Sequence, residues 1–288
     1  MSNKIAIGTA QFGLDYGIAN KHGRVSANEI RSILNFALEN NINTLDTAKV
    51  YGNSEKSIGD YLRESKKKWN IITKISDSNK SIIEQIQDSK EKLTVVPNVI
   101  LAHSADLFLD SMFQSEIQET KDKELIHSIG VSLYNEKEIN LILNSKIKPD
   151  VIQLPMNILD TRLYRSGVLN KLYNSKIDIH IRSVFLQGLF YLSKTELEDG
   201  FKDVIPYLEK LKLISSNNGL TLSELSLLWL LSLKEVNKVI IGVDNVLQLK
   251  IHLESLNKKI NPSIFKEALS ICYDNENTLN PSLWPISS

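Results

Sequence analysis

NTLDTAKVYGNSE (residues 43–55) leaves an apolar run and meets an acid, Asp46, then five residues later a phenol, Tyr51, beside a glycine. An aspartate where a buried strand ends is either a turn cap or part of a site. The ends of the neighbouring strands decide between the two.

INTLD (42–46) is one of a series of short β-branched runs. The others are KIAIG (4–8), WNIITK (69–74), NVILAH (98–103), IHSIGVS (126–132), DVIQLP (150–155), IDIHIRSV (177–184) and NKVIIG (237–242). Nearly continuous apolar character over so few residues marks a strand buried on both faces. Between the runs lie segments with helical spacing. In SANEIRSILNFALENN (26–41), Ser26 is placed to cap, Glu29 stands at the third helical position, and Ile30, Ile33, Leu34, Ala37 and Leu38 form one stripe. Segments 54–65, 79–93, 135–145, 221–233 and 245–256 follow the same pattern.

Strands alternating with helices predict a parallel α/β sheet, and eight strands favour closure into a (β/α)8 TIM barrel, a single domain over residues 1–288. A doubly wound open sheet is the competitor. It usually carries a glycine-rich turn after its first strand, and GTAQFG (8–13) lacks the G-x-G-x-x-G spacing. Residues 186–206 are long for a plain connection and predict an excursion over one end of the barrel.

Composition narrows the function classes. The 34 basic and 34 acidic residues balance, and no half is strongly basic, which argues against a nucleic-acid partner. Lys66, Lys67 and Lys68 read as the solvated end of a helix. No apolar run approaches the roughly 20 residues of a membrane span. The opening MSNKIAIGTAQFG lacks the apolar core of a signal peptide, so the expected location is the cytoplasm. The single cysteine, Cys272, allows no internal disulfide and fits a reducing compartment.

In such a barrel chemistry sits at the C-terminal ends of the strands. Those ends carry Asp46 after the second run, Lys74 after the third and His103 after the fourth, with Tyr51 one short loop beyond Asp46. Each has a structural reading alone: a cap, a lysine reaching for water, a satisfied core histidine, a packed loop tyrosine. Together, on one end of consecutive strands, they predict a site. A free phenol titrates near 10 and is a weak acid at neutral pH. A nearby ammonium lowers that value, and an aspartate keeps an enclosed ammonium charged. A histidine can hydrogen-bond a substrate oxygen. The set is suited to protonating a carbonyl oxygen as negative charge develops there. No nucleophile accompanies it, so a nicotinamide is the expected source of the hydride.

With these residues the chain resembles the aldo-keto reductase family, whose Asp–Tyr–Lys–His tetrad Asp46, Tyr51, Lys74 and His103 match in order and strand position. The resemblance implies NADPH or NADH as cofactor and a small carbonyl compound as substrate. It assigns Gly8 and Thr9 to the nicotinamide ribose, and Ser132 and Gln153 to the carboxamide, with Asp46 nearby. Arg182, Ser183, Val184, Leu186, Gln187 and Gly188 fall to the seventh strand and pyrophosphate loop. Gly242, Val243, Asn245 and Gln248 fall to the adenosine phosphate segment. Gln11 and Phe12 are expected near the substrate, with Tyr16, Asp15, Phe108 and Asn157 around the mouth.

The pattern departs in four places. Leu133 stands where the family usually has asparagine. Arg182 replaces the aromatic residue that stacks on the nicotinamide; a guanidinium plane also stacks, and its charge favours the neutral reduced ring. No lysine or arginine occurs in GVDNVLQ (242–248), and Asp244 would repel a 2′-phosphate, so NADH or dual use is expected. The usual barrel-floor hairpin is expected to be absent. The predicted activity is carbonyl reduction of a small, sugar-like aldehyde or ketone with Tyr51 as general acid. The alternative is a nicotinamide-nucleotide-binding regulator with the same fold and little turnover. A lyase forming a Schiff base on Lys74 ranks below both.

Overall fold

The computed structural model describes residues 1–123 and 125–284. The expected domain 1–288 therefore includes residue 124 and residues 285–288, which lie outside the described residues. Among the described residues there are eight strands: β1 (Ile5–Gly8), β2 (Thr44–Asp46), β3 (Asn70–Ile75), β4 (Val99–Ala102), β5 (Ser128–Ser132), β6 (Val151–Pro155), β7 (Asp178–Arg182) and β8 (Lys238–Gly242). They are all parallel and close in sequence order, with β8 pairing back onto β1. The (β/α)8 expectation holds.

The helices fill the connections: α1 (Ala27–Glu39), α2 (Ser54–Ser65), α3 (Ile82–Leu93), α4 (Ala105–Leu109), α5 (Ser111–Asp122), α6 (Glu136–Asn144), α7 (Arg162–Arg165) and α8 (Val168–Asn174), then α9 (Lys194–Glu198), α10 (Ile205–Asn217), α11 (Leu222–Ser232), α12 (Val246–Ser255), α13 (Ser263–Leu269) and α14 (Glu276–Leu279). Ser26 caps α1 by accepting from the Glu29 amide, and Ile30, Ile33, Leu34 and Ala37 are its buried stripe. Ser81 and Glu84 form a capping box on α3, so that helix begins at residue 82 rather than 79. α11 is buried on every side from Leu222 to Leu231, which is why its sequence is apolar all round.

Alternate residues of each strand face the barrel axis. Ile72, Leu101 and Val151 meet there in one apolar layer, while the other strand faces join the continuous core beneath the helices. The residues before β1, Ser2–Lys4, form a 3₁₀ turn. β7 ends at Arg182, two residues short of the expected boundary, because Ser183 takes a left-handed φ of 60° that no strand continues. The 186–206 excursion is a 3₁₀ segment, Leu186–Tyr191, followed by α9 and a further 3₁₀ turn. No helix among the described residues is long and apolar enough to cross a membrane.

Candidate active site

The 43–55 stretch is anchored from below before it presents its tyrosine. Thr9 Oγ1 donates to the Asp46 carbonyl at 3.0 Å, and Ser54 Oγ donates to the Thr9 carbonyl at 2.8 Å. Thr47 and Ser54 hydroxyls meet at 3.0 Å. Two tight turns then carry the chain past Tyr51: its amide donates to the Ala48 carbonyl, and its carbonyl accepts from the Ser54 amide, each at 3.0 Å. The backbone of Gly13 lies against this turn, where a Cβ would come within 1.8 Å of the Tyr51 carbonyl oxygen. Gly52 takes φ 53°, which lets the turn close.

Asp46 and Lys74 project inward from β2 and β3, and both are buried. Lys74 Nζ donates to Asp46 Oδ2 at 2.6 Å and to the Thr47 carbonyl at 3.0 Å. The other carboxylate oxygen, Oδ1, accepts from Gln153 Nε2 at 2.8 Å. The ammonium lies 5.1 Å from the centre of the Tyr51 ring. Tyr51 and His103 face each other edge to face, with ring centres 6.5 Å apart. All four tetrad residues thus gather at one end of the barrel.

The electrostatics differ from expectation at the phenol. Burial pushes Tyr51 above its ordinary value, the Asp46 carboxylate adds to this, and the Arg182 guanidinium opposes it. The expected lowering by Lys74 is corrected: its charge is engaged by Asp46, and desolvation of the phenolate prevails. Burial draws Lys74 below its usual value, against the favourable pull of Asp46. His103 is pushed down to about 4 by burial, and the charges of Lys74 and Arg182 add to this, so it is neutral at pH 7.

These residues line a cavity of ≈ 580 Å³ that runs from His103 and Tyr134 to Gln248 and His252. Arg182 lies over the Tyr134 ring, with Cζ 4.3 Å from its centre. Its Nε donates to Ser132 Oγ at 3.3 Å. The β1–α1 loop crosses the cavity: the Ile18 amide donates to the Gln187 carbonyl at 2.9 Å, and Ala19 packs where a Cβ on Gly188 would lie 3.0 Å away.

The aldo/keto reductase family model matches residues 4–271. This chain belongs to the aldo/keto reductase family. As a member it is an NAD(P)H-dependent oxidoreductase acting on small carbonyl compounds. Solved structures agree on the fold. Aldo-keto reductase AKR11C1 from Bacillus halodurans, in its holo form, superposes with a TM-score of 0.76 at 20% identity, over 94% of this chain and 92% of that one. Glycerol dehydrogenase AKR11B4 from Gluconobacter oxydans gives 0.73 at 18% identity, over 98% and 93%. The thermostable aldo-keto reductase Tm1743, in complex with epalrestat, gives 0.70 at 20% identity, over 93% and 94%. A comparison with curated proteins finds no match.

Within this aldo-keto reductase, the expected cofactor residues divide. Gly8, Thr9, Asp46, Ser132, Arg182 and Ser183 line the cavity, as do Val184, Gln187, Gly188, Gly242 and Gln248. Gln11 lines it too, with its side chain against Gly242, where a Cβ would meet it at 2.6 Å. Phe12, expected at the substrate, is instead packed into the core, as are Leu186 and Val243. Asn245 spends its side chain capping α12, accepting from the Gln248 amide at 2.9 Å. Gln153 stands behind Asp46, fully buried, and Phe108 is core. Asn157 holds its own turn, accepting from the Leu159 and Asp160 amides and donating to the Ser183 carbonyl. Sequence reasoning missed Tyr134, Tyr191, Ser223 and His252, all on the cavity wall. Tyr134 was within reach: two residues beyond Ser132, it shares that residue's side of the chain, while Leu133 between them turns into the core.

Proposed function

We propose that the chain is one barrel domain that reduces the carbonyl of a small, hydroxylated aldehyde or ketone, with Tyr51 as general acid. The observation that carries this reading is the convergence of the Tyr51 phenol, neutral His103 and the buried Lys74–Asp46 pair at one end of a long cavity.

The cavity suits a nicotinamide nucleotide. Ser132, at the end of β5, lines the cavity with its hydroxyl beside the Arg182 guanidinium, where a carboxamide would meet it. Left-handed backbone at Ser183 and at the consecutive Leu186, Gln187 and Gly188 turns the β7 loop along the cavity, where Ser183, Gln187 and Gly188 line it. Ser132, Ser183 and Gln187 are the residues that would hold the nucleotide, and when bound it supplies the hydride.

The chain's own groups handle the proton. The raised titration of Tyr51 keeps its proton in place throughout the neutral range, so the phenol arrives as a donor. As the proton passes to the substrate oxygen, the nearby Arg182 charge stabilises the phenolate left behind. His103 is neutral and orients the oxygen through a ring N–H. Polar side chains at the same end, Tyr16 and Tyr134, support a substrate with hydroxyl groups over an apolar one.

The test is oxidation of reduced cofactor by the purified chain against a panel of hydroxylated and apolar carbonyls, with Tyr51→Phe alongside. Turnover of hydroxyaldehydes that collapses in the variant supports the reading. Tight nucleotide binding without turnover of any carbonyl would overturn it in favour of a nucleotide-binding regulator.

A further inference from the structure

At the end of the cavity formed by β8 and α12, one acidic side chain stands without a counter-charge. Asp244 follows β8 by two residues and lines the cavity. Its amide donates to Gln248 Oε1 at 2.8 Å, and Gln248 Nε2 donates back to Asp244 Oδ2 at 3.2 Å. This reciprocal clasp fixes the carboxylate. The second oxygen, Oδ1, is buried and has no hydrogen-bond partner.

The cations are elsewhere. Among the described residues lining the cavity, the lysines and arginines are Lys74 and Arg182, both at the Tyr51 end. Lys250, six residues further along, lies 4.0 Å from Glu254, and both side chains are more than half exposed.

We propose that Asp244 accepts from the ribose hydroxyls of the adenosine half of NADH and thereby selects NADH against NADPH. The proposal rests on the reading above, that this cavity holds a nicotinamide nucleotide with its reactive ring beside Tyr51. A ribose 2′-hydroxyl brings the donor that Oδ1 lacks, and a hydrogen bond to a carboxylate is of the strong, charge-assisted kind. A 2′-phosphate brings about −1.5 to −2 charges and only acceptor oxygens, so it meets like charge and no donor from Asp244. Gln248 Nε2 gives one of its two N–H groups to the clasp and carries no charge to offset that of a phosphate.

The experiment is a fluorescence titration of NADH and NADPH into the full chain, into Asp244→Ser and into the near-isosteric Asp244→Asn. Competition by 5′-AMP and by 2′,5′-ADP against bound NADH is measured on the parent alone, which removes dependence on the variants' folding. The parent is expected to bind NADH at least about tenfold more tightly than NADPH, and 5′-AMP to compete better than 2′,5′-ADP. Both substitutions should weaken NADH and strengthen NADPH, shrinking the ratio. A parent that binds NADPH as well as NADH or better overturns the assignment while leaving carbonyl reduction in place. An unchanged ratio in both variants does the same. Failure of both nucleotides to bind the parent overturns both readings together.

Discussion

Gln153 Nε2 donates to Asp46 Oδ1 at 2.8 Å while Lys74 holds Oδ2 at 2.6 Å, so the buried carboxylate is gripped from two strands at once. A carboxylate with both oxygens occupied cannot rotate, and the lysine it holds is fixed with it. Gln153→Leu leaves Oδ1 without a donor inside the barrel, at a cost of about 1–3 kcal/mol in stability. Urea unfolding of the variant measures this; a loss below a few tenths would show that solvent takes over the role.

Tyr51→Phe removes the hydroxyl proposed as the proton donor and keeps the ring against His103. Carbonyl reduction should fall by about 10² to 10⁴, the usual worth of general acid catalysis, with cofactor affinity nearly unchanged. Steady-state rates and a nucleotide titration on the same preparation decide it. Near-normal turnover would leave the proton to come from elsewhere.

Lys74→Met strands the Asp46 charge in the interior, which costs about 3–5 kcal/mol. Pairing it with Asp46→Asn removes that stranded charge, so the double variant should be more stable than Lys74→Met alone and equally inactive. Chemical denaturation of the three proteins tests the coupling. Additive losses would mean that the two side chains contribute independently.

His180 gives a pH dependence. Burial pushes it down from 6.5 to about 3, and the charges of Lys238 and Lys74 oppose its protonation further. The unfolded chain takes up this proton near 6.5 and the folded chain does not. Its contribution is therefore complete above about 6.5 and declines as pH falls toward about 3, by about 1.4 kcal/mol per pH unit. His180→Leu should flatten the stability profile between pH 6 and 4 by about one proton's worth relative to the parent. Equal slopes for parent and variant would count against the buried neutral imidazole.

The strands were legible because two-sided burial leaves an unbroken apolar trace, and their ends gave Asp46, Lys74 and His103 by position alone. Tyr51 was legible because its loop is short. Local pattern says nothing about side chains delivered by long connections, and there the reading faltered. Tyr191, Ser223 and His252 reach the cavity from the 3₁₀ segment after β7, from α11 and from α12, by packing across distant parts of the chain. Phe12 was misplaced for the converse reason: the 3₁₀ turn Ala10–Phe12 rotates its ring into the core while Gln11 faces the cavity. The direction of the Tyr51 shift was missed because burial depth is a tertiary quantity. Its effect exceeds that of a lysine whose charge Asp46 already engages.

The pairing of β1 with β8 joins Ile5 to Val239, nearly the whole described chain apart. A ribosome must therefore release almost all of the polypeptide before the first strand finds its second neighbour. Until then Ile5–Gly8 is an open edge, with a row of peptide groups free to pair with another nascent chain. Contacts so remote in sequence also slow folding, because loop closure is spent before the ladder forms. Temperature and dilution during refolding should accordingly govern yield more strongly than any single side chain at the site.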